Sequence, residues 1–429
     1  MQESKLEVKV YDYTNQIKNR HRDLEEAKFL SEKEKQRIRE YIAYIQASNM
    51  SLGRIVKTLH SLMALSKHFG MKLDRIDVKN IQSAIAQLNQ SDYAEWSKQD
   101  LRAITKRYVR YSLGKKFLPH EWDWLKVKMR KEKMKMPGEG EILTVDDVEK
   151  ILSVCRDIRD KALISALYES ACRPSEILTL KIRDVKFDKY GCIVYLRQSK
   201  TSQRPVRLVN STPFLSAWLN VHPRKKETEY PLWIVTAYKI KGMDPHIDVF
   251  TLSALRKLLE RLKEKAGIKK RVYPYIFRHS RITHLLMNPK YPQSVVKRMV
   301  GWTDDSEQIS TYLHMTNDAV DKLVLEANGL VKEEDSEDLE LTKPLLCPRC
   351  DMQNPPESKV CQRCWFALDS VFQTEIDQAI TQIAGAVGSA EFPKVMKMSK
   401  EELIEWKRKK QIEKLVKKRN KIKNKTISS

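Results

Sequence analysis

Four cysteines constrain this chain more tightly than any other short feature. CPRC (347–350) and CQRC (361–364) are separated by ten residues. That spacing lets two close pairs supply four thiolates to one tetrahedral Zn²⁺, each at ~2.3 Å. A segment so short can hardly fold without the metal, so Cys347, Cys350, Cys361 and Cys364 predict a small unit whose folding is coupled to zinc binding. Sulfur takes all four positions and no ligand site stays open, so the expected Zn²⁺ is structural. Cys155, Cys172 and Cys192 stand alone in apolar or helical text and read as core residues. Nothing suggests a secreted disulfide framework.

Two breaks in periodicity divide the rest. The basic stretch KVKMRKEKMKMPGEG ends in Pro-Gly-Glu-Gly and marks a linker, taken as 119–142. The acidic run EEDSEDLE marks a second, taken as 331–344. At 429 residues, 41% of them hydrophobic, the chain has room for two or three domains with ordinary cores. Residues 1–30 are charged and weakly periodic and read as an arm or a peripheral helix. From 31 to 118 the pattern is helical. SEKE (31–34) is a capping box, Leu52, Ile55, Leu59 and Leu62 share a face that ends before Gly70, and Val78, Ile81, Ile85 and Leu88 share another. A last helix turns Leu101, Ile104 and Tyr108 inward and carries Lys98, Arg102, Lys106 and Arg110 on its other face. After the linker, TVDD caps a new helix at Thr144. CIVYLR and PVRLV read as the strands of a hairpin with Lys200 in or near its turn. The expected class is mainly α with a small antiparallel β-sheet (α+β).

Lys and Arg exceed Asp and Glu by 24. A surplus of that size points to a polyanion partner, and without obvious amphipathic anchors nucleic acid is favoured over a membrane surface. Lys98, Arg102, Lys106 and Arg110 fit either a solvated helix face or contact with DNA phosphates, and the total charge favours the second. No run of ~18 apolar residues is present, so no membrane span is expected. The N-terminus has no h-region or transit pattern, which predicts a cytoplasmic, nucleoid-associated protein. In the tail (369–429), Leu403, Trp406, Ile412 and Leu415 could form a short helical stripe. The lysines beyond fit a DNA-binding tail or a disordered end equally.

Chemistry concentrates between 275 and 314. Arg278 and His279 lie near the start of one helix, Trp302 follows Gly301 at the end of the next, and Tyr312 sits beyond it. Phosphodiester cleavage through a phosphotyrosine would need this set. A phenol is a poor nucleophile at its free pKa of about 10 and needs a neighbour to take its proton. The attacked phosphate needs preorganised cations, a task that suits bidentate arginines.

This stretch resembles the C-terminal half of the tyrosine recombinases, or phage-type integrases. ACRPSEILTL (171–180) resembles the family's first arginine box, with Arg173 and its acidic companion Glu176. YLRQSKTSQRPVRLV (195–209) resembles the hairpin that presents a catalytic lysine, here Lys200, although Lys181 or Arg204 could be mistaken for it. Tyr291 and Tyr273 are neighbours of Tyr312, but only Tyr312 follows the Gly-Trp box at family spacing and precedes His314. The resemblance covers about 35–325 in the right order, extends to archaeal integrases, and makes 31–118 a core-binding DNA domain and 143–330 the catalytic domain. NPPESKV and WFAL around the cysteines resemble a zinc ribbon (345–368).

The resemblance implies roles. Arg173 and Arg278 would bind the scissile phosphate, Tyr312 would attack it to leave a 3′-phosphotyrosyl bond, Lys200 would protonate the leaving oxygen, and Trp302 would donate its indole N–H. No ATP or divalent metal would be needed for the chemistry. Four protomers would assemble on two duplexes of DNA, from a monomer or dimer when free, with the apolar face of 317–330 docked into a neighbour. One position departs from the pattern: Tyr275 stands where the family has histidine, and a phenol is no base near neutral pH. The acceptor of the Tyr312 proton stays open between His279 and His314. A type IB topoisomerase-like enzyme and a DNA-binding relative without catalysis are the competing readings.

Overall fold

The computed structural model describes residues 11–127, 139–197, 203–235, 249–288, 290–309, 312, 341–364 and 366–369, with single positions at 325, 374, 378, 402, 405, 408 and 409. The chain divides into two compact units, Tyr11–Met136 and a second that begins at Pro137.

The first unit is helical: α1 (Tyr13–Glu25), α2 (Glu32–Ala47), α3 (Leu52–Phe69), α4 (Val78–Gln90) and α5 (Glu95–Ser112). Ser31 opens α2 with the expected box, its hydroxyl accepting from the Glu34 N–H while the Glu34 carboxylate accepts from the Ser31 N–H. The other Glu34 oxygen accepts from the Leu73 N–H at 3.2 Å, so the buried carboxylate is fully used. α3 stops at Gly70, whose φ of 65° is the left-handed C-cap that glycine adopts without steric cost. The faces read from periodicity meet in one core of Ile38, Ile42, Ile55, Leu59, Leu62, Ile81, Leu88 and Ile104. That core reaches past the expected limits. α1 packs on α3, and Leu24, Ala27 and Leu30 are buried where an arm or a peripheral helix was expected; Trp122 and Leu125 enter from beyond 118. The peripheral-helix reading of this segment is the one that holds; the sequence leaves it open because Leu24 alone among the residues of α1 is buried, so there is no apolar stripe to read.

The second unit contains α6 (Val145–Ser153), α7 (Ile158–Glu169), α8 (Pro174–Leu178), β1 (Val185–Asp188), β2 (Gly191–Leu196), β3 (Arg204–Leu208), α9 (Thr212–Val221), α10 (Leu252–Lys265), α11 (Pro274–Met287) and α12 (Gln293–Val300). Thr144 and Asp147 cap α6 reciprocally. α7 is buried on nearly every side, with Ala162, Leu163, Ile164, Ala166, Leu167 and Tyr168 enclosed, and it packs against α9 and α11 as the central helix. The hairpin strands pair as expected, Val194 opposite Val206, and β1 adds a third antiparallel strand beside β2. Three of the four β1 residues face solvent, so no alternation announced it. The fold is mainly α with a small antiparallel sheet.

The cysteine segment belongs to this unit. Its strands β4 (Leu345–Leu346) and β5 (Gln353–Asn354) pair in antiparallel fashion. Glu357 pairs with Lys161 of α7 at 2.6 Å, Thr342 donates its N–H to Glu149 of α6, and Asn210 donates to the Leu341 carbonyl at 3.1 Å. Among the described residues no helix is long and apolar enough to cross a membrane. The apolar face read at 317–330 and the stripe read in the tail lie outside the described residues.

Candidate active site

The site begins with a strained turn. α7 ends at Ser170, and Ala171 follows with φ 49°, a left-handed conformation that costs a non-glycine residue about 1–2 kcal/mol. The turn aims the Ala171 carbonyl at Arg278, whose Nη1 donates to it at 2.6 Å. Two residues later Arg173 opens α8, with Pro174 fixing the first helical position. Nη1 of Arg173 donates to Glu176 Oε1 at 2.8 Å, and the Arg173 backbone N–H donates to Oε2 at 3.0 Å. Glu176 is buried, so its carboxylate needs these partners.

α11 presents Arg278 and His279 side by side. Arg278 is buried, and Nη2 donates to the Val300 carbonyl at the end of α12 at 3.1 Å. Two of its five N–H groups are thereby used, and the other three find no acceptor among the described residues. Burial first, and the neighbouring Arg173 charge second, hold its pKa below the ordinary arginine value. Gly301 then turns the chain with φ 71°, and Trp302 lies with its ring 5.9 Å from the Arg278 guanidinium and 5.7 Å from the Tyr312 ring. The indole Nε1 of Trp302 is buried without a hydrogen-bond partner among the described residues.

Tyr312 is buried, and its phenol oxygen is 2.7 Å from Nδ1 of His279. Burial pushes the phenol up to about 12 against the pull of the Arg278 charge. Burial, reinforced by Arg278, draws His279 down to about 4. At neutral pH both groups are uncharged, the state in which the phenol O–H can donate to an unprotonated Nδ1. Tyr275 is exposed on the rim with its ring 6.4 Å from that of His279.

The structure therefore gathers Arg173, Glu176, Arg278, His279, Trp302 and Tyr312 into one connected cluster, with Tyr275 beside it. Lys200 and His314 lie outside the described residues. Arg204, named from the sequence only as a possible confusion with Lys200, enters the cluster by donating to Glu176 Oε2 at 3.1 Å. A signal was present: Arg204 occupies the inward phase of β3 with Val206 and Leu208, an unusual place for a charge.

Among the four cations of α5, Lys98 departs from the outward face expected of it, while Arg102, Lys106 and Arg110 are half-exposed. Lys98 is buried, its ammonium donating to the Asn89 carbonyl at 3.0 Å and standing 3.4 Å from Glu95. Arg102 donates to the Lys98 carbonyl, Lys106 to the Leu125 carbonyl, and Arg110 to the Lys116 carbonyl. Long aliphatic stems let these side chains cover their own unit while the charged ends find local acceptors.

The sulfurs of Cys347, Cys350, Cys361 and Cys364 all lie within 4.8 Å of one another, with the 347–364 and 350–361 pairs at 3.5 Å. Tetrahedral Zn–S bonds would put sulfurs ~3.8 Å apart, so the cluster fits the ion. Each pair has the same loop behind it: the Cys347 N–H donates to the Met352 carbonyl and the Cys361 N–H to the Phe366 carbonyl.

Residues 141–318 match the family model described as the phage integrase family. A tyrosine recombinase XerA of Pyrococcus horikoshii is 32% identical over 144 residues, 34% of this chain. The chain spans about half of that relative's length, 47%. A tyrosine recombinase of Thermosipho africanus is 26% identical over 302 residues, 66% of this chain and 97% of that one. Among solved structures, the XerH site-specific recombinase in its post-cleavage complex with a palindromic difH substrate has a TM-score of 0.52 at 17% identity, over 75% of this chain and 92% of that one. At that identity the likeness is one of fold.

Proposed function

Since residues 141–318 form a phage integrase family domain, we propose that the chain is a site-specific tyrosine recombinase that cuts and rejoins DNA strands through a 3′-phosphotyrosyl intermediate. One observation carries the reading: a buried tyrosine hydroxyl meets a neutral imidazole at 2.7 Å, beside a buried arginine with donors to spare.

In this mechanism Arg173 and Arg278 receive the non-bridging oxygens of the scissile phosphate and offset the charge of the pentavalent transition state. The Trp302 indole N–H adds a third donor. Tyr312 attacks phosphorus. Its proton is held too tightly to leave beforehand, but the phenol oxygen becomes far more acidic as the P–O bond forms. His279 is placed to accept the proton at that stage; His314, the other candidate, lies outside the described residues. Lys200 delivers a proton to the departing 5′ oxygen. Rejoining runs the same steps in reverse with a 5′-hydroxyl from the partner strand, so phosphodiester energy is kept.

Lys98, Arg102, Lys106 and Arg110 remain candidates for phosphate contact only where DNA displaces their present carbonyl partners, and Lys98 is the weakest of them. Zn²⁺ held by the four cysteines would tie the two knuckles together and take no part in the reaction. Duplex DNA is the partner, and four protomers would assemble on two recombining sites.

A duplex nicked close to the cut site tests this, because the short fragment diffuses away and traps the enzyme. The expected result is a covalent adduct that Tyr312→Phe abolishes while duplex binding persists. An adduct in that variant would remove Tyr312 from the role. Strand exchange between two labelled duplexes separates a recombinase from an enzyme that only nicks and closes.

A further inference from the structure

Arg204 is a buried cation of the site cluster to which the mechanism above gives no task. Its Nη2 donates to Glu176 Oε2 at 3.1 Å, and its Nε donates to the Met299 carbonyl, also at 3.1 Å. The same Nη2 lies 3.9 Å from the sulfur of Cys172. Gly301 presses on the guanidinium so closely that a Cβ there would sit 2.4 Å from Nη1. One side chain on β3 thus touches the carboxylate that holds Arg173, the residue before the Arg278 acceptor Val300, and the glycine that delivers Trp302.

We infer that Arg204 is a positioning residue that sets Arg173 and Trp302 against the scissile phosphate without touching it. The inference rests on the strand-cleavage reading. A carboxylate gripped by two guanidiniums has little rotational freedom: Arg204 and the Arg173 backbone N–H hold Oε2 together, which leaves Oε1 aimed at Nη1 of Arg173. The Nε–H bond to Met299 pins the last turn of α12, which sets where the Gly301 turn places the indole. Without Arg204, Glu176 loses one of its guanidinium partners, and its pull on the Arg173 guanidinium, away from an incoming oxygen, is less opposed.

Adduct formation by Arg204→Met and Arg204→Lys should be compared on two nicked duplexes, one with an ordinary scissile phosphate and one with a neutral methylphosphonate. Arg204→Met is expected to lose about 100-fold in rate on the phosphodiester, the scale of a lost oxyanion donor, with duplex binding within about twofold. On the methylphosphonate, which carries no anionic oxygen for a guanidinium to neutralise, the deficit should shrink to under about tenfold. Arg204→Lys should recover part of the rate. Equal deficits on both substrates, an unimpaired Arg204→Met, or variants that do not fold would each overturn the proposal and leave Arg204 a residue of the core. The unsubstituted protein runs alongside: if it leaves no adduct, strand cleavage itself is wrong, and the role of Arg204 goes with it.

Discussion

Nδ1 of His279 stands 2.7 Å from the phenol oxygen of Tyr312, and burial makes the first a weak base and the second a weak acid. Neither ionises near neutrality, so the pair is a hydrogen bond waiting for a reaction. With His279 drawn down to about 4 from 6.5, the rate of strand cleavage should show no inflection near pH 6.5. An inflection there would mean that the imidazole titrates freely. His279→Ala should slow cleavage about 100-fold, the lower range for a lost general base.

Trp302 offers an indole N–H with no partner among the described residues. Trp302→Phe keeps an aromatic ring against Tyr312 but removes the donor. Cleavage should fall about tenfold, in line with one hydrogen bond to a charged acceptor, while thermal stability changes little. If Trp302→Phe cleaves at the natural rate in single-turnover assays, the indole serves packing alone.

Gly301 combines a φ of 71° with close contact to Arg204. Gly301→Ala meets both obstacles, since the left-handed backbone alone costs a β-carbon about 1–2 kcal/mol. Denaturant melts should show at least that loss. An unchanged melt would mean that this turn can relax.

His284 is buried with Nδ1 2.6 Å from the Tyr168 hydroxyl, and burial, then the Arg281 charge, draws it to about 4. The unfolded chain binds a proton there more readily than the folded one. Stability from this residue is therefore complete above pH 6.5 and is lost as pH falls toward 4, by up to about 3 kcal/mol. Urea titrations at pH 7 and 4.5 should show that slope, and His284→Gln should flatten it. His279 titrates in the same direction, so some acid sensitivity remains in the variant.

Mass spectrometry under native conditions should find one zinc ion per chain, and Cys361→Ser should lose it. The cysteine segment is fastened to α6 and α7 through Glu149 and Lys161. Demetallation should therefore open 341–369 to proteases and lower the melting temperature by a few degrees. A protease pattern unchanged by chelator would show that this segment folds without metal.

Legibility in the sequence followed the physics of each feature. Helices with an apolar stripe and a capped start, such as Glu32–Ala47 behind Ser31, could be read because side-chain spacing and caps are local. Helix Tyr13–Glu25 could be read only as one of two alternatives and strand Val185–Asp188 not at all, since each buries a single residue and has no period. In the site, Arg278 and Tyr312 stand out as a cation and a phenol in one short stretch, and Arg173 is reached through the resemblance of its box to the recombinases. The Ala171 carbonyl and the Glu176–Arg204 contact could not be read, because backbone acceptors and long-range ion pairs leave no local trace. Lys98 looked outward by helical phase and proved buried, since the end of the preceding helix supplies an acceptor that periodicity does not see.

Arg173, Arg204 and Arg278 crowd around one carboxylate, Glu176, and the Arg173 charge adds to burial in lowering the Arg278 pKa. Like charges packed together in a poorly solvated place repel, and an arriving oxyanion would quiet them. An idle molecule should therefore be the least heat-resistant form, and sulfate alone should firm it up. Readiness and endurance are set against each other at this one spot.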